Sequence, residues 1–199
     1  MDEIVKQAMT KWPDVPNCYG WLALDARGTW RMRDEHTQAM HLPGDKITNT
    51  ALVGFINRNY QSDERGCWYF QNGPQRVYVM LAKTPYIAHT DPLYGFVLHT
   101  GEPLSMIDDV WITENGDLLL KSDGKVAMLD DRDIAQCLPH LRLDRKPIGD
   151  EQLLSWIAVQ KNGAQLTLEL PSRSVPVQRI QSNDIPKQFH FVLEPPIPA

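Results

Sequence analysis

Apolar positions in the first dozen residues recur at steps of one, three and four: Ile4, Val5, Ala8, Met9 and Trp12. That spacing predicts a short amphipathic helix with these side chains on one face, stopped by Pro13. The segment WPDVPNCYG reads as a connector, after which GWLALD changes period. Trp21, Ala23 and Asp25 alternate against Leu22 and Leu24, the two-residue repeat of a strand. The turn DARG and the return run TWRMR complete a hairpin, because Gly28 can take the positive φ of a tight reversal. Residues 34–45 are polar, interrupted by Pro43-Gly44, and read as a loop. Helical period returns in ITNTALVGFINRNY. There Thr48 or Asn49 caps the start, Leu52, Phe55 and Ile56 form the buried face, and Asn57 and Arg58 follow on the polar side.

After the turn QSDERG, the runs CWYF and RVYVML predict a second hairpin around Asn72-Gly73-Pro74-Gln75. PYIAHT and PLYGFVLHTGEP add strands. The pattern then restarts: VWITENGDLLLKSDGKVAMLDDRDIAQCLPHL holds three strands, turns at Asn115-Gly116 and Asp123-Gly124, and a helix capped by Asp130 or Asp131. A helix from Asp150 and a last hairpin, SWIAVQ and QLTLEL about KNGA, precede the proline-rich tail PKQFHFVLEPPIPA, whose last residues are expected extended or frayed. GWLALDARGTWRM and VWITENGDLLL share a frame of tryptophan, an acid three or four residues on, a turn glycine and an apolar return strand. They lie about 90 residues apart, a period of domain duplication rather than of a solenoid. The expected architecture is therefore α+β: two small β-rich halves related by duplication, each with antiparallel hairpins and a helix. They span residues 1–92 and 93–199, the second carrying the extra hairpin and the proline-rich tail.

Composition narrows the function classes. A hydrophobic share of 42% is enough for a core, and 15 prolines fit many short connections. The net charge of -5 arises from well-mixed acids and bases, so there is no basic stripe to track nucleic acid. No apolar run is long enough to span a bilayer, and MDEIVKQAMTKW lacks the pattern of a signal peptide, so the expected address is cytoplasmic with no membrane partner. Cys18, Cys67 and Cys137 are too scattered for a disulfide framework or a zinc site.

Candidate chemistry is sparse. His36 and His41, beside Asp34 and Glu35, are five apart with no helical pattern to bring them to one face, and read as a solvated loop. His89 and His99 sit near strand ends with no nucleophile motif beside them. Asp130, Asp131 and Asp133 open a helix, where carboxylates meet free amides and the positive end of the dipole, which is favoured over a magnesium site. Trp21, Trp30, Trp68 and Trp111 fall in strands as core or interface side chains. No catalytic residue, metal or cofactor is expected, and the reading leans away from an enzyme. The basic residues Arg31, Arg33, Arg58 and Arg76 offer more, since forked donors converging beside aromatic rings make an anion pocket. The competing reading sends them outward on a solvated sheet face. Pro74 withholds an amide that a phosphate-cradling loop would donate, so the NGPQ turn serves to deliver Gln75 and Arg76 to the sheet edge. The candidate ligand-binding set is Arg31, Asn57, Arg58, Gln75, Arg76 and Tyr78.

Several of these motifs coincide with one family pattern: Trp12-Pro13, Cys18 with Gly20, Gly28-Thr29-Trp30, the helix LVGFINR, then Gly66, Tyr69, Phe70, Pro74, Arg76, Val77 and Thr84-Pro85-Tyr86. Over residues 12 to 101 the chain resembles a bacterial domain-of-unknown-function family, domain of unknown function 1285. The resemblance implies a duplicated α+β fold with a second half like a pleckstrin-homology barrel, and a ligand, nucleotide-like, between the halves in a signalling role. It implies no enzyme class. The chain departs from the family at Gly73-Pro74-Gln75-Arg76, where the family carries Thr-Pro-x-Glu, and after about Asp144, where no counterpart exists. The expectation is thus a non-enzymatic binding protein for a small anionic or nucleotide-like ligand. The alternative is an adaptor docking a partner through a sheet edge or the tail. Oligomeric state and ligand identity stay open.

Overall fold

The computed structural model describes residues 1–93, 95–159 and 163–197. These form two compact units, Met1–Pro85 joined by the tail from His190, and Tyr86–Phe189. The break falls at Pro85, and β-strand hydrogen bonding explains it: the PYIAHT run pairs with strands that follow it, while the last residues return to the first unit. Val192 bridges Cys67 in parallel, and Leu81 N donates to Leu193 O at 2.8 Å.

The first unit runs α1 (Glu3–Lys11), β1 (Cys18–Leu24), β2 (Trp30–Met32), α2 (Glu35–Ala39), β3 (Asp45–Lys46), α3 (Thr50–Arg58), β4 (Tyr60–Ser62), β5 (Trp68–Asn72) and β6 (Gln75–Leu81). Its six strands lie in the order β3-β2-β1-β6-β5-β4. Every pairing is antiparallel except β1 with β6. Both expected hairpins form. The first is turned by Asp25, whose Oδ1 accepts from Arg27 N and Thr29 N at 3.0 and 2.8 Å. Helix α3 starts where Asn49 Oδ1 accepts from Leu52 N at 3.0 Å.

Opposite partners in a sheet share a face, so the register sorts the side chains. One face carries Leu24, Trp30, Leu81, Val77 and Phe70. Helix α3 packs there, with Phe55 edge-on to Phe70 at 5.4 Å. The other face carries Ala23, Arg31, Met80, Tyr78, Tyr69 and Arg76. Three expectations are corrected here. In α1 only Val5 is buried, whereas Ile4 is 71% exposed, because the helix meets the unit along one narrow line. In α3 Ile56 is buried but Leu52 is exposed, since Leu52 lies in the first turn, beyond the sheet it would pack on. Residues 34–45 are not all loop: Asp34 Oδ1 accepts from Thr37 N at 2.8 Å and so starts α2.

The second unit runs β7 (Tyr86–Asp91), β8 (Gly95–Leu98), β9 (Asp109–Thr113), β10 (Leu118–Ser122), β11 (Lys125–Leu129), α4 (Ile134–Cys137), β12 (Leu141–Leu143), β13 (Lys146–Pro147), α5 (Asp150–Ala158), β14 (Leu166–Glu169), β15 (Ser174–Ile180) and α6 (Ile185–Gln188). Nine strands form one sheet, β13-β12-β14-β15-β9-β10-β11-β7-β8. The chain is thus α+β. The two strands that share the tryptophan frame are paired alike. β1 lies antiparallel to β2 and parallel to β6; β9 lies antiparallel to β10 and parallel to β15. One core gathers Val110, Ile112, Leu118, Leu120, Leu129, Leu141, Trp156 and Leu168.

The SWIA part of SWIAVQ is corrected from strand to helix: Leu153 and Trp156, three apart, are the buried residues of α5, which ends at Ala158. QLTLEL is a strand, but it pairs with β12 and β15. The KNGA turn expected between them lies in part, at residues 161 and 162, outside the described residues. The tail is entered through a short helix, Ile185–Gln188, with Pro186 tolerated in its first turn. Asp133, at the start of α4, makes no side-chain cap. Asp130 is fully buried and instead takes the Arg132 backbone N–H and Nε, both at 2.9 Å. Among the described residues no helix is long and apolar enough to cross a membrane.

Candidate functional site

Alternation along the strands decides which of the candidate residues meet. Arg31, Arg76 and Tyr78 share the face opposite α3, whereas Asn57 and Arg58 ride on α3 itself. Arg31 Nε is bound to Asp25 Oδ2 at 2.8 Å. Arg58 pairs with Asp2 at 3.2 Å and is largely exposed. Asn57 Oδ1 accepts from the Trp30 indole at 2.7 Å, and Gln75 Nε2 donates to Pro16 O at 2.9 Å. Arg76 lies over the Tyr69 ring at 4.7 Å. Tyr78 is at the centre of this face: it stacks on Tyr19 with centroids 4.6 Å apart and planes 8° from parallel. Its hydroxyl donates to Asp63 Oδ2 at 3.0 Å and accepts from Arg65 Nη2 at 3.2 Å.

These contacts set the local charge. Burial foremost pushes the Tyr78 hydroxyl above its ordinary value, Arg76 opposing and Asp63 adding to the rise. Burial works to raise Asp63 as well, but hydrogen bonds from Arg65, the Cys67 amide and Tyr78 hold its carboxyl below the usual range. The Tyr78 hydroxyl therefore stays neutral, and beside it lie one satisfied acid and two guanidinium groups.

Next to the Tyr19–Tyr78 stack opens a cavity of about 330 Å³, lined also by Arg33, Gln38, Met80 and the tail from Glu194 to Ile197. Arg33 is the residue that the expected set left out. It follows β2 in the same alternation as Arg31, and its backbone N donates to Trp21 O at 2.9 Å. It is 6% exposed. Its Nε donates to Leu42 O at 3.1 Å, and its Nη1 to Gly20 O at 3.4 Å and to the Met80 sulfur. Among the described residues its Nη2 has no hydrogen-bond partner and no carboxylate lies in salt-bridge range of the guanidinium. Two close approaches hold it down. A Cβ on Gly44 would stand 2.4 Å from Met32 O and 2.7 Å from Arg33 Cγ, and one on Gly20 would stand 2.3 Å from Gln38 Oε1. Gln38 in turn donates from Nε2 to Arg33 O at 3.0 Å. The loop and helix after β2 thus close over Arg33, which the polar look of residues 34–45 concealed. Alternation did place it beside Arg31, the one signal available in the sequence.

A larger cavity of about 800 Å³ in the second unit is lined by Glu114, Ile157, Arg179 and Asp184 among others. Its arginine is engaged already: Arg179 Nε donates to Trp156 O at 2.8 Å, and its guanidinium lies 3.5 Å over the Trp156 ring. The histidines carry no metal arrangement. No group of three or more metal-ligating side chains exists among the described residues. His99 Nδ1 accepts from Ile87 N at 3.2 Å, and His89 stands 3.4 Å from Asp130.

A small α+β protein with an aromatic, arginine-floored cavity is what fold and site define. A family model labelled DUF2944 and described as "Protein of unknown function (DUF2946)" matches residues 1–196, and the chain belongs to that family. No curated protein matches it. Among solved structures it is similar to a DUF1285 family protein from Silicibacter pomeroyi DSS-3, with a TM-score of 0.50 over 89% of this chain and 96% of that one. The identity is 12%, so this likeness shows the fold alone. The resemblance seen in the Trp12 to Gly101 motifs is therefore present in the fold, while the family model that matches is a different one.

Proposed function

We propose that the chain is a non-enzymatic binding protein that holds a small anionic ligand in the cavity beside Tyr19 and Tyr78, with Arg33 as the principal anchor. The observation that supports this is the buried guanidinium without a carboxylate. An ionised group removed from water is costly unless it is paired, and bonds to backbone carbonyls satisfy its donors without neutralising its charge. An anion in the cavity supplies the missing partner through Nη2, and the tyrosine pair offers its body an apolar wall. The site needs residues of the first unit only. A nucleotide-like ligand and a signalling role belong to the same reading, as one class of anion and one use of its binding.

The test is a thermal-shift screen of the full chain against nucleotides, small phosphates and organic carboxylates. A bound ligand must raise the unfolding midpoint, since it binds the folded state. At least one anion is expected to do so, with the shift lost in Arg33→Met. A flat response across the panel sinks the reading. The adaptor alternative draws on Met40 and Leu42, 60% and 45% exposed after α2. A partner captured in stoichiometric amount by the full chain, and lost on Met40→Glu, would favour it.

A further inference from the structure

We infer that the ligand of the Arg33 cavity is an α-amino acid with a large apolar or aromatic side chain, its carboxylate on Arg33 and its ammonium toward Glu194. The inference rests on the anion-binding reading above and adds the second charge. Among the described residues the cavity is lined by two full charges of opposite sign, Arg33 and Glu194, together with the exposed His41. Glu194 is exposed and forms no salt bridge or side-chain hydrogen bond among the described residues, and it lies outside ion-pair range of Arg33. Opposite charges that face one cavity without meeting are complementary to a small molecule carrying both.

The alternatives fit less well. A plain carboxylate satisfies Arg33 but faces Glu194 as a like charge. A phosphate dianion asks for more positive charge than one guanidinium supplies, and two of the three Arg33 nitrogens are already bound to carbonyl oxygens. What remains, the two N–H groups of Nη2, suits a single carboxylate. A zwitterion brings its own neutralising charge, so the cavity gains two ion pairs with no net charge buried. The rest of the lining is suited to a side chain: the Tyr19–Tyr78 stack, Met80, Pro195, Pro196 and Ile197. About 330 Å³ is near the small end of the range for small-molecule sites, right for one amino acid and tight for a dinucleotide.

Calorimetric titration of the full chain with L-phenylalanine, 3-phenylpropionate and phenethylamine separates the charges. L-Phenylalanine is expected to bind at least about tenfold more tightly than 3-phenylpropionate, a difference of about 1.4 kcal/mol, with phenethylamine weaker than both. Glu194→Gln, at an exposed position without bonds to lose, is expected to keep the fold and erase the tenfold preference. If 3-phenylpropionate binds as well as L-phenylalanine, or the preference survives Glu194→Gln, the amino-acid assignment is wrong while the anion cavity stands. If neither carboxylate binds and no other anion shifts the unfolding midpoint, both readings fall together.

Discussion

Asp130 and Arg33 are both buried charges, one in each unit, and their surroundings differ in kind. Asp130 accepts from the backbone and side chain of Arg132 two residues on, and Thr90 N bonds the neighbouring Asp133 carboxylate. The bond to the Arg132 side chain holds the Asp130 carboxyl far below its ordinary value, against the pull of burial. That charge closes its own account of hydrogen bonds and ion pairs within the second unit. Arg33 has no acid in ion-pair range among the described residues and lines a cavity. A buried charge balanced locally is part of the fold; one left unbalanced beside open space points to a ligand.

The comparison is broken or sharpened by four measurements. The largest effect belongs to the second unit's apolar core, where Leu120 is fully buried. Leu120→Ala is expected to cost about 2–5 kcal/mol in chemical unfolding; a loss under about 1 kcal/mol would mean that the core relaxes around the gap.

Acid comes next. The carboxyls of Asp130 and Asp63 are held below their ordinary value of 3.8 in the folded protein. For such groups the stabilising contribution is complete above the unfolded value and drains away as pH falls through the lower folded one. The unfolding midpoint is expected to hold down to about pH 4 and to drop steeply below it. Asp130→Asn should lower the plateau and flatten the drop, whereas an unchanged slope would place the acid sensitivity elsewhere.

A smaller effect is expected at Arg33. Arg33→Met keeps the volume and removes an uncompensated charge, while two carbonyls lose a donor, for a net loss of about 1 kcal/mol in the ligand-free chain. A loss as large as that of Leu120→Ala would assign Arg33 to the fold. The smallest effect leaves stability untouched. Burial raises all three thiols, Cys137 to about 11 with Asp133 adding to it, so access to the reagent rather than acidity separates them. Only the half-buried Cys18 is expected to react with a thiol reagent at pH 8 in the folded chain, the other two following on unfolding.

The β-rich α+β class, both hairpins of the first unit and the β9–β11 meander were legible because period-two alternation and turn residues are local signals. Asn49 was legible as a cap for the same reason. SWIAVQ was not: a six-residue apolar run fits a strand or one side of a helix, and only packing of Leu153 and Trp156 into the core chose the helix. Of the candidate residues, Arg31, Arg76 and Tyr78 lie on one face of the first sheet, set by alternation along β2 and β6 and by the register of β1 between them. Asn57 and Arg58 sit on the helix that covers the opposite face, a separation that spacing along the chain does not encode.

Parity along each run, which the sequence carries by itself, sets Arg31 with Arg33 and Tyr78 with Met80; that the two pairs share one side follows from the register of β1 against β2 and β6. The fold decided that Arg33 is buried rather than solvated. That required α2 and the Gly44 loop to fold over it, and the tail from His190 to return and bring Glu194 to the lining of the same cavity. Burial of a charge is a property of everything packed around it, and those segments are distant in the chain.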